Sequence, residues 1–229
     1  MGFTADRPGA TTGTDVLPRG RVQWESGVAW ERSKLDGATA TTWTLNTSLF
    51  RWGFSDFAEL RLQADYLSGR CGGIHTSGFS DVALGTKARL FDGWKSVPAI
   101  SLLANVLLPG GSDADYLPQH FGGQMGLLFQ NQFASWCSLG YEADLVWSDS
   151  RRPTVFFGLC LSFSLSDRLS LVVEQYNTNT SDNTECWSEL SLAYQLTPPL
   201  QLDLGTDLSL NHFGDYRNAM IGVAWQITK

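Results

Sequence analysis

Leu200-Gln201-Leu202-Asp203-Leu204-Gly205-Thr206-Asp207-Leu208-Ser209-Leu210-Asn211 is the stretch from which the rest of the chain can be read. Leu200, Leu202, Leu204, Leu208 and Leu210 share one parity, while Gln201, Asp203, Gly205, Asp207 and Ser209 share the other. Successive strand side chains point to opposite faces, so this is a strand with one apolar and one charged face. Leu60, Leu62, Ala64 and Tyr66 oppose Glu59, Arg61, Gln63 and Asp65 in the same way. Val82, Leu84, Ala88 and Leu90 likewise oppose Asp81, Gly85, Lys87 and Arg89, and the alternation recurs from Arg21 almost to the last residue.

No Pro/Ser-rich linker or break in composition divides the 229 residues, which favours one domain. Charged residues make up 17% and apolar residues 43%; the charged share is below that of an ordinary soluble domain. No run of about 18 apolar residues exists to cross a bilayer as a helix, so a membrane-spanning chain of this kind must close into a barrel. A soluble barrel would also alternate, with its apolar face inward. Glycine separates the two readings. Gly85, Gly126, Gly140, Gly158, Gly205 and Gly222 share the charged face, and a crowded lumen asks for glycine in a strand where a solvated outer face does not. The other face carries large residues such as Phe157, Leu159, Leu161 and Phe163, which suit lipid.

The fold expected is therefore all-β: a single antiparallel transmembrane β-barrel of about twelve strands, of outer-membrane type. The strands are placed near 20–33, 39–53, 57–68, 79–91, 97–108, 120–131, 134–148, 153–165, 168–177, 184–196, 199–211 and 217–228. Residues 20–229 form the barrel, and residues 1–19 an N-terminal periplasmic or luminal segment. Short periplasmic turns are expected at 54–56, 92–96, 131–133, 166–167 and 197–198. The outer loops are expected at 69–78, 109–119, 178–183 and 212–216, with shorter ones at 34–38 and 149–152. An even strand count puts both ends of the chain on the periplasmic side.

The nine tryptophans sort by depth as interfacial girdles require. Trp24, Trp52, Trp94, Trp136 and Trp225 fall toward the periplasmic ends, and Trp30, Trp43, Trp147 and Trp187 toward the outer ends. Counted by parity, Trp52, Trp136 and Trp187 fall on the polar side. The formal charge of −7 repels nucleic acid, and no basic stripe with interleaved aromatics offsets it. The opening Met1-Gly2-Phe3-Thr4 lacks a charged n-region and an apolar h-region, as expected once a secretory signal is removed. Cys71, Cys137, Cys160 and Cys186 have no C-x-x-C spacing; Cys71 and Cys186 could pair near the outer loops, and four free thiols are the alternative.

The residues expected to line a pore are Glu25, Glu59, Arg61, Asp65, Asp81, Lys87, Arg89, Glu142, Asp144, Glu174, Glu189, Asp203 and Asp207. The acidic excess would favour cations in an open lumen, whereas a filled interior would pair these charges. Twelve strands lie between the filled eight-stranded and the open sixteen-stranded barrel, so the expected pore is narrow or gated. Gly2–Gly20 is too polar and too rich in Gly, Thr and Pro for a strand. It is expected either to fold inward as a plug, with Arg7 on luminal carboxylates, or to remain a solvated tail.

No G-x-S-x-G, H-E-x-x-H, P-loop or dinucleotide fingerprint occurs, and no catalytic residue, metal site or cofactor is expected. A lipid-modifying hydrolase would need a Ser beside a His, and His75, His120 and His212 all fall in or beside expected outer loops. Asp113 and Asp115 near Ser112 are too few ligands for Ca²⁺. A structural or receptor barrel without flux is the third reading.

With these residues in view, the chain resembles the outer-membrane transporter-like barrels of the MetA-pathway of phenol degradation family. The resemblance is carried by Thr4-Ala5-Asp6-Arg7-Pro8-Gly9 with Val16-Leu17-Pro18-Arg19-Gly20, by Leu49–Asp56 with Glu59-Leu60-Arg61-Leu62, and by Gly78-Phe79-Ser80-Asp81 through Lys87. Leu107–Ser112, Leu165–Leu171 and Leu196–Asp203 complete it, so that it covers nearly the whole chain in order. Ala5, Gly110 and the C-terminal Trp225–Lys229, which lacks a terminal aromatic, depart from the pattern. The resemblance implies passive uptake of small, hydrophobic or aromatic solutes across a Gram-negative outer membrane. The implied partners are outer-membrane lipid and lipopolysaccharide, the barrel-assembly machinery during biogenesis, and the solute.

Overall fold

The computed structural model describes residues 3–35, 38–110, 116–149 and 152–227, with the side chains of Leu35 and Asp81 outside that description. The strands are β1 (Val22–Leu35), β2 (Ala38–Gly53), β3 (Ala58–Cys71), β4 (Ile74–Phe91), β5 (Ala99–Leu107) and β6 (Gly122–Ala134) in the first half. The second half supplies β7 (Cys137–Trp147), β8 (Thr154–Ser164), β9 (Leu169–Asn179), β10 (Thr184–Thr197), β11 (Leu200–Ser209) and β12 (Tyr216–Gln226). Each strand pairs antiparallel with its sequence neighbours, and β1 closes on β12 from Gln23↔Gln226 to Ser33↔Tyr216. Closure leaves no unpaired edge, the condition a sheet must meet in hydrocarbon.

Polarity is inverted relative to a soluble domain. Arg51, Lys87, Gln23, Glu25, Glu59 and Glu174 are among the most deeply buried side chains, while Leu60, Leu62, Leu84, Leu127, Leu204 and Ile221 are exposed on the outside. An apolar belt of this extent faces lipid, since soluble monomers rarely expose contiguous patches beyond a few hundred Å². No helix is long and apolar enough to cross a membrane.

The girdles form at both ends, with two corrections to the parity count. Trp52 is 48% exposed and Trp136 58% exposed, both outside the barrel, whereas Trp187 does face inward. The register shift between Thr44 and Asn46 explains Trp52: a bulge flips the alternation, so counting from Thr39 assigns the wrong face to everything beyond it. From β1 the same bulge shows as the shift between Gly27 and Ala29, and a second bulge, on β4, lies opposite Gln63 and Asp65.

The expected loop 69–78 is instead a hairpin. Cys71 pairs with Ile74 across Gly72 and Gly73, whose φ angles of 57° and 88° suit a two-residue turn matched to strand twist. The expected turn at 131–133 lies within β6, because Gln132 and Ala134 continue the ladder to Ser138 and Cys137; the chain reverses at Ser135-Trp136. All four cysteines are free, and Cys71 and Cys186 sit on β3 and β10, far apart around the ring.

Candidate functional site

The barrel interior holds the remaining polar groups, and residues 3–19 run through it. Asp6 and Arg7 donate backbone N–H groups to the Glu25 carboxylate at 3.1 and 3.0 Å. The Arg7 guanidinium forms two bonds to Asp203, at 2.9 and 3.2 Å, and a third to the Thr47 hydroxyl. It lies where Gly27 and Gly222 present no side chain; a Cβ at either would overlap it. Beyond a bend, Ala10 and Thr11 donate to Glu174 and Thr12 to Glu142, which ties the segment to the opposite wall.

Asp6 is the hub of the charged wall. Its carboxylate meets Arg61 at 2.5 Å, Lys87 at 2.8 Å and Arg51 at 3.6 Å. Burial pushes this carboxyl up, but the cations Arg51, Lys87 and Arg61 outweigh it and hold it well below the usual carboxylate range. Arg51 in turn bonds Glu25 at 2.9 Å and Glu59 at 2.8 Å. The segment leaves along the same wall. Lys87 donates to the Gly13 carbonyl, Ser101 to that of Thr14, Arg51 to that of Asp15, and Leu17 N–H to Glu59. Arg89 pairs with Asp15 and Asp92 toward the periplasmic end.

The wall formed by β7–β10 differs. A cavity of about 250 Å³ separates it from the segment, lined on the barrel side by Ser138, Gly140, Cys160, Ser162, Ser170 and Val172. Two larger recesses open at the periplasmic end. One of about 510 Å³ lies beside Asp15, Asp92, Trp94 and Gln130, and one of about 390 Å³ beside Phe3, Arg168, Gln195 and Gln201. In the outer half, Asp144 accepts from Gln124 at 2.6 Å, and Asn105 donates to Gln124. Tyr116 reaches Gly69 and Gly78 and donates to the Thr76 carbonyl.

Of the residues singled out in the sequence, Glu25, Glu59, Arg61, Lys87, Glu142, Asp144, Glu174, Glu189, Asp203 and Asp207 are buried, and Arg89 is half-buried. Asp65 pairs in register with buried Ser80 beside the β4 bulge. The Asp81 side chain, Asp113 and Asp115 lie outside the described residues. Sequence reading missed Arg51, which the β2 bulge moves to the inner face, and Asp6, which belongs to a segment without periodicity. It also missed Glu31, which shares the parity of Glu25 on β1 and accepts from the Tyr216 hydroxyl.

The histidines are placed differently from expectation in one respect. His75 lies on β4 rather than in a loop, and its Nε2 is 3.0 Å from Ser68 Oγ on the exposed surface. Among the described residues no carboxylate bonds that imidazole, and the neighbouring backbone groups are spent in the β3–β4 ladder, which leaves no oxyanion hole. His120 pairs with Asp149, and His212 N–H donates to Ser209. Among the described residues no group of three or more His, Cys, Asp or Glu side chains could hold a metal ion.

A closed twelve-stranded barrel with a lipid-facing exterior and a charged interior defines an integral protein of the Gram-negative outer membrane. The chain belongs to the family described as "Putative MetA-pathway of phenol degradation", whose pattern matches residues 5–228. Among solved structures it is similar to the COG4313 outer membrane channel from Pseudomonas putida F1, with a TM-score of 0.71 and 14% identity over 96% of this chain and 99% of that one. It is also similar to the translocator domain of the autotransporter NalP from Neisseria meningitidis, with a TM-score of 0.59 and 15% identity over 93% and 90% of the two chains. A third likeness is to the KdgM porin in complex with disordered oligogalacturonate, with a TM-score of 0.54 and 9% identity over 88% and 99%. At these identities the likenesses speak for the fold. No curated protein matches the sequence.

Proposed function

We propose that this protein is a passive outer-membrane channel for small solutes, with residues 20–229 as the pore-forming barrel and residues 1–19 as a plug that narrows it. The observation that carries the reading is the incomplete filling of the interior. Ion pairs fix the segment against β1–β4 and, through Arg7 and Asp203, against β11, while cavities of about 250 Å³ remain on both of its sides, against β1–β3 and against the small, uncharged side chains of β7–β10. Glu25, Glu59, Arg61, Asp65, Asp81, Lys87, Arg89, Glu142, Asp144, Glu174, Glu189, Asp203 and Asp207 then set the field along the pore, and their acidic excess favours cations.

The family description supports hydrophobic or aromatic solutes as cargo. The barrel carries out no bond-making chemistry in this reading, since Ser68 and His75 lack both an orienting acid and an oxyanion hole. Lipid and lipopolysaccharide surround the apolar belt, and the assembly machinery delivers the barrel to them.

Single-channel recording of the purified protein in a planar bilayer, with the reversal potential measured in a salt gradient, tests this. Small, discrete, cation-selective steps are expected. An inserted, folded barrel that passes neither ions nor, in liposome swelling, small aromatic solutes would overturn it in favour of a structural role.

A further inference from the structure

A row of carboxylates crosses the inner wall above the segment. Glu174 stands directly opposite Glu189, and Glu189 directly opposite Asp207, on β9, β10 and β11. Like charges in opposed positions destabilise a sheet. Among the described residues, the ion pairs involve none of the three. Glu174 is occupied by Ala10 and Thr11, and Glu189 accepts from the Ser191 hydroxyl. Asp207 accepts from Asn218 through Oδ2 at 2.7 Å, and its Oδ1 is buried without a close hydrogen bond although the Tyr176 hydroxyl and the Glu189 carboxyl lie near the same carboxylate; the residue is only 7% exposed.

The next inward-facing pair toward the outer mouth is aromatic. Tyr176 lies opposite Trp187 with rings stacked at 6.4 Å, and Tyr216 meets Trp187 edge-on at 4.6 Å while its hydroxyl bonds Glu31. These rings are half-buried, in contrast to the carboxylates beneath them. An aromatic face attracts a cation, most strongly where water is excluded. A metal ion is a poor fit, because the acidic groups do not converge as ligands, whereas a row of carboxylates roofed by rings suits an ammonium group joined to a flat apolar body.

We propose that Glu189 and Asp207, with Tyr176, Trp187 and Tyr216, form a subsite for small arylalkyl ammonium ions on the outer side of the Gly9–Thr12 bend. The ammonium supplies the donor that Asp207 Oδ1 lacks, and the solute's ring takes over part of the Trp187–Tyr216 contact. This rests on the channel reading for how the solute arrives, and names a class of cargo within it.

Calorimetric titration of the full chain in detergent micelles with phenethylammonium, against neutral 2-phenylethanol, tests the proposal. Phenethylammonium is expected to bind about tenfold or more tightly than the alcohol, and Asp207→Asn and Glu189→Gln each to remove most of that preference. Trp187→Leu weakens both ligands, and Asp149→Asn, on the exposed rim, changes neither. Equal binding of amine and alcohol, or an unaltered preference in the Glu189→Gln barrel, overturns the proposal, and Glu189→Gln serves alone should Asp207→Asn not fold. Bilayer conductance is recorded separately. Equal binding of amine and alcohol by the parent protein with persisting current sinks the subsite and leaves the channel, whereas discrimination by the parent in a silent barrel supports the subsite and sinks the channel.

Discussion

Arg51 concentrates the energetics of the interior in one side chain. It is fully buried between Glu25 and Glu59, with Asp6 at 3.6 Å. Breaking a buried pair from one side leaves uncompensated charge, so Arg51→Met is expected to destabilise the barrel by about 3–5 kcal/mol in urea unfolding from micelles. A change within error would contradict the pairing. Asp6 gives a pH prediction with a definite sign. Its folded carboxyl is held below its ordinary value of 3.8, so its contribution to docking is complete above that value and is lost only as pH falls through the lower, folded one. A spin label at Thr4 in a cysteine-free variant should therefore keep the same mobility from pH 7 down to about 4 and loosen only in stronger acid. Loosening above pH 5 would show that Arg51, Arg61 and Lys87 do not hold Asp6.

At the scale of elements, the strands make room for the segment. Gly27 on β1 and Gly222 on β12 are paired in register, and together they vacate the volume of the Arg7 guanidinium. Gly222→Val is expected to expel Arg7 from Asp203 and raise single-channel conductance, while Gly140→Ala, whose Cβ would meet nothing nearer than 3.8 Å, should leave it unchanged. Equal conductance in both variants and the parent would mean that Arg7 does not limit passage. Strand number, faces and girdles were legible because period-two alternation is a direct print of side-chain direction. That print fails at a bulge, which is why Trp52 was assigned to the wrong face and Arg51 was missed beyond Thr44/Asn46. The Gly72-Gly73 hairpin was read as a loop because the polar outer ends of β3 and β4 lack the apolar alternation of the membrane belt, although the Gly-Gly pair itself was a turn signal. The inward path of residues 3–19 had only indirect signals, Arg7 beside an acidic lumen and glycines on the polar face. Nothing in an aperiodic segment specifies its partners on strands as far apart in sequence as Glu25, Glu142 and Asp203.

The whole molecule is a polar interior wrapped in an apolar surface, with its N-terminal segment running through the lumen and recesses open at the periplasmic end. The segment binds β1–β4 and β11 through ion pairs, and β7 and β9 through hydrogen bonds at its bend, where Glu142 and Glu174 accept from Ala10, Thr11 and Thr12. The most direct measurement is single-channel conductance of the parent beside a variant lacking residues 3–18, both inserted from matched detergent stocks. The account expects small steps from the parent and several-fold larger ones from the deletion; identical conductance in the two would contradict a plugged channel.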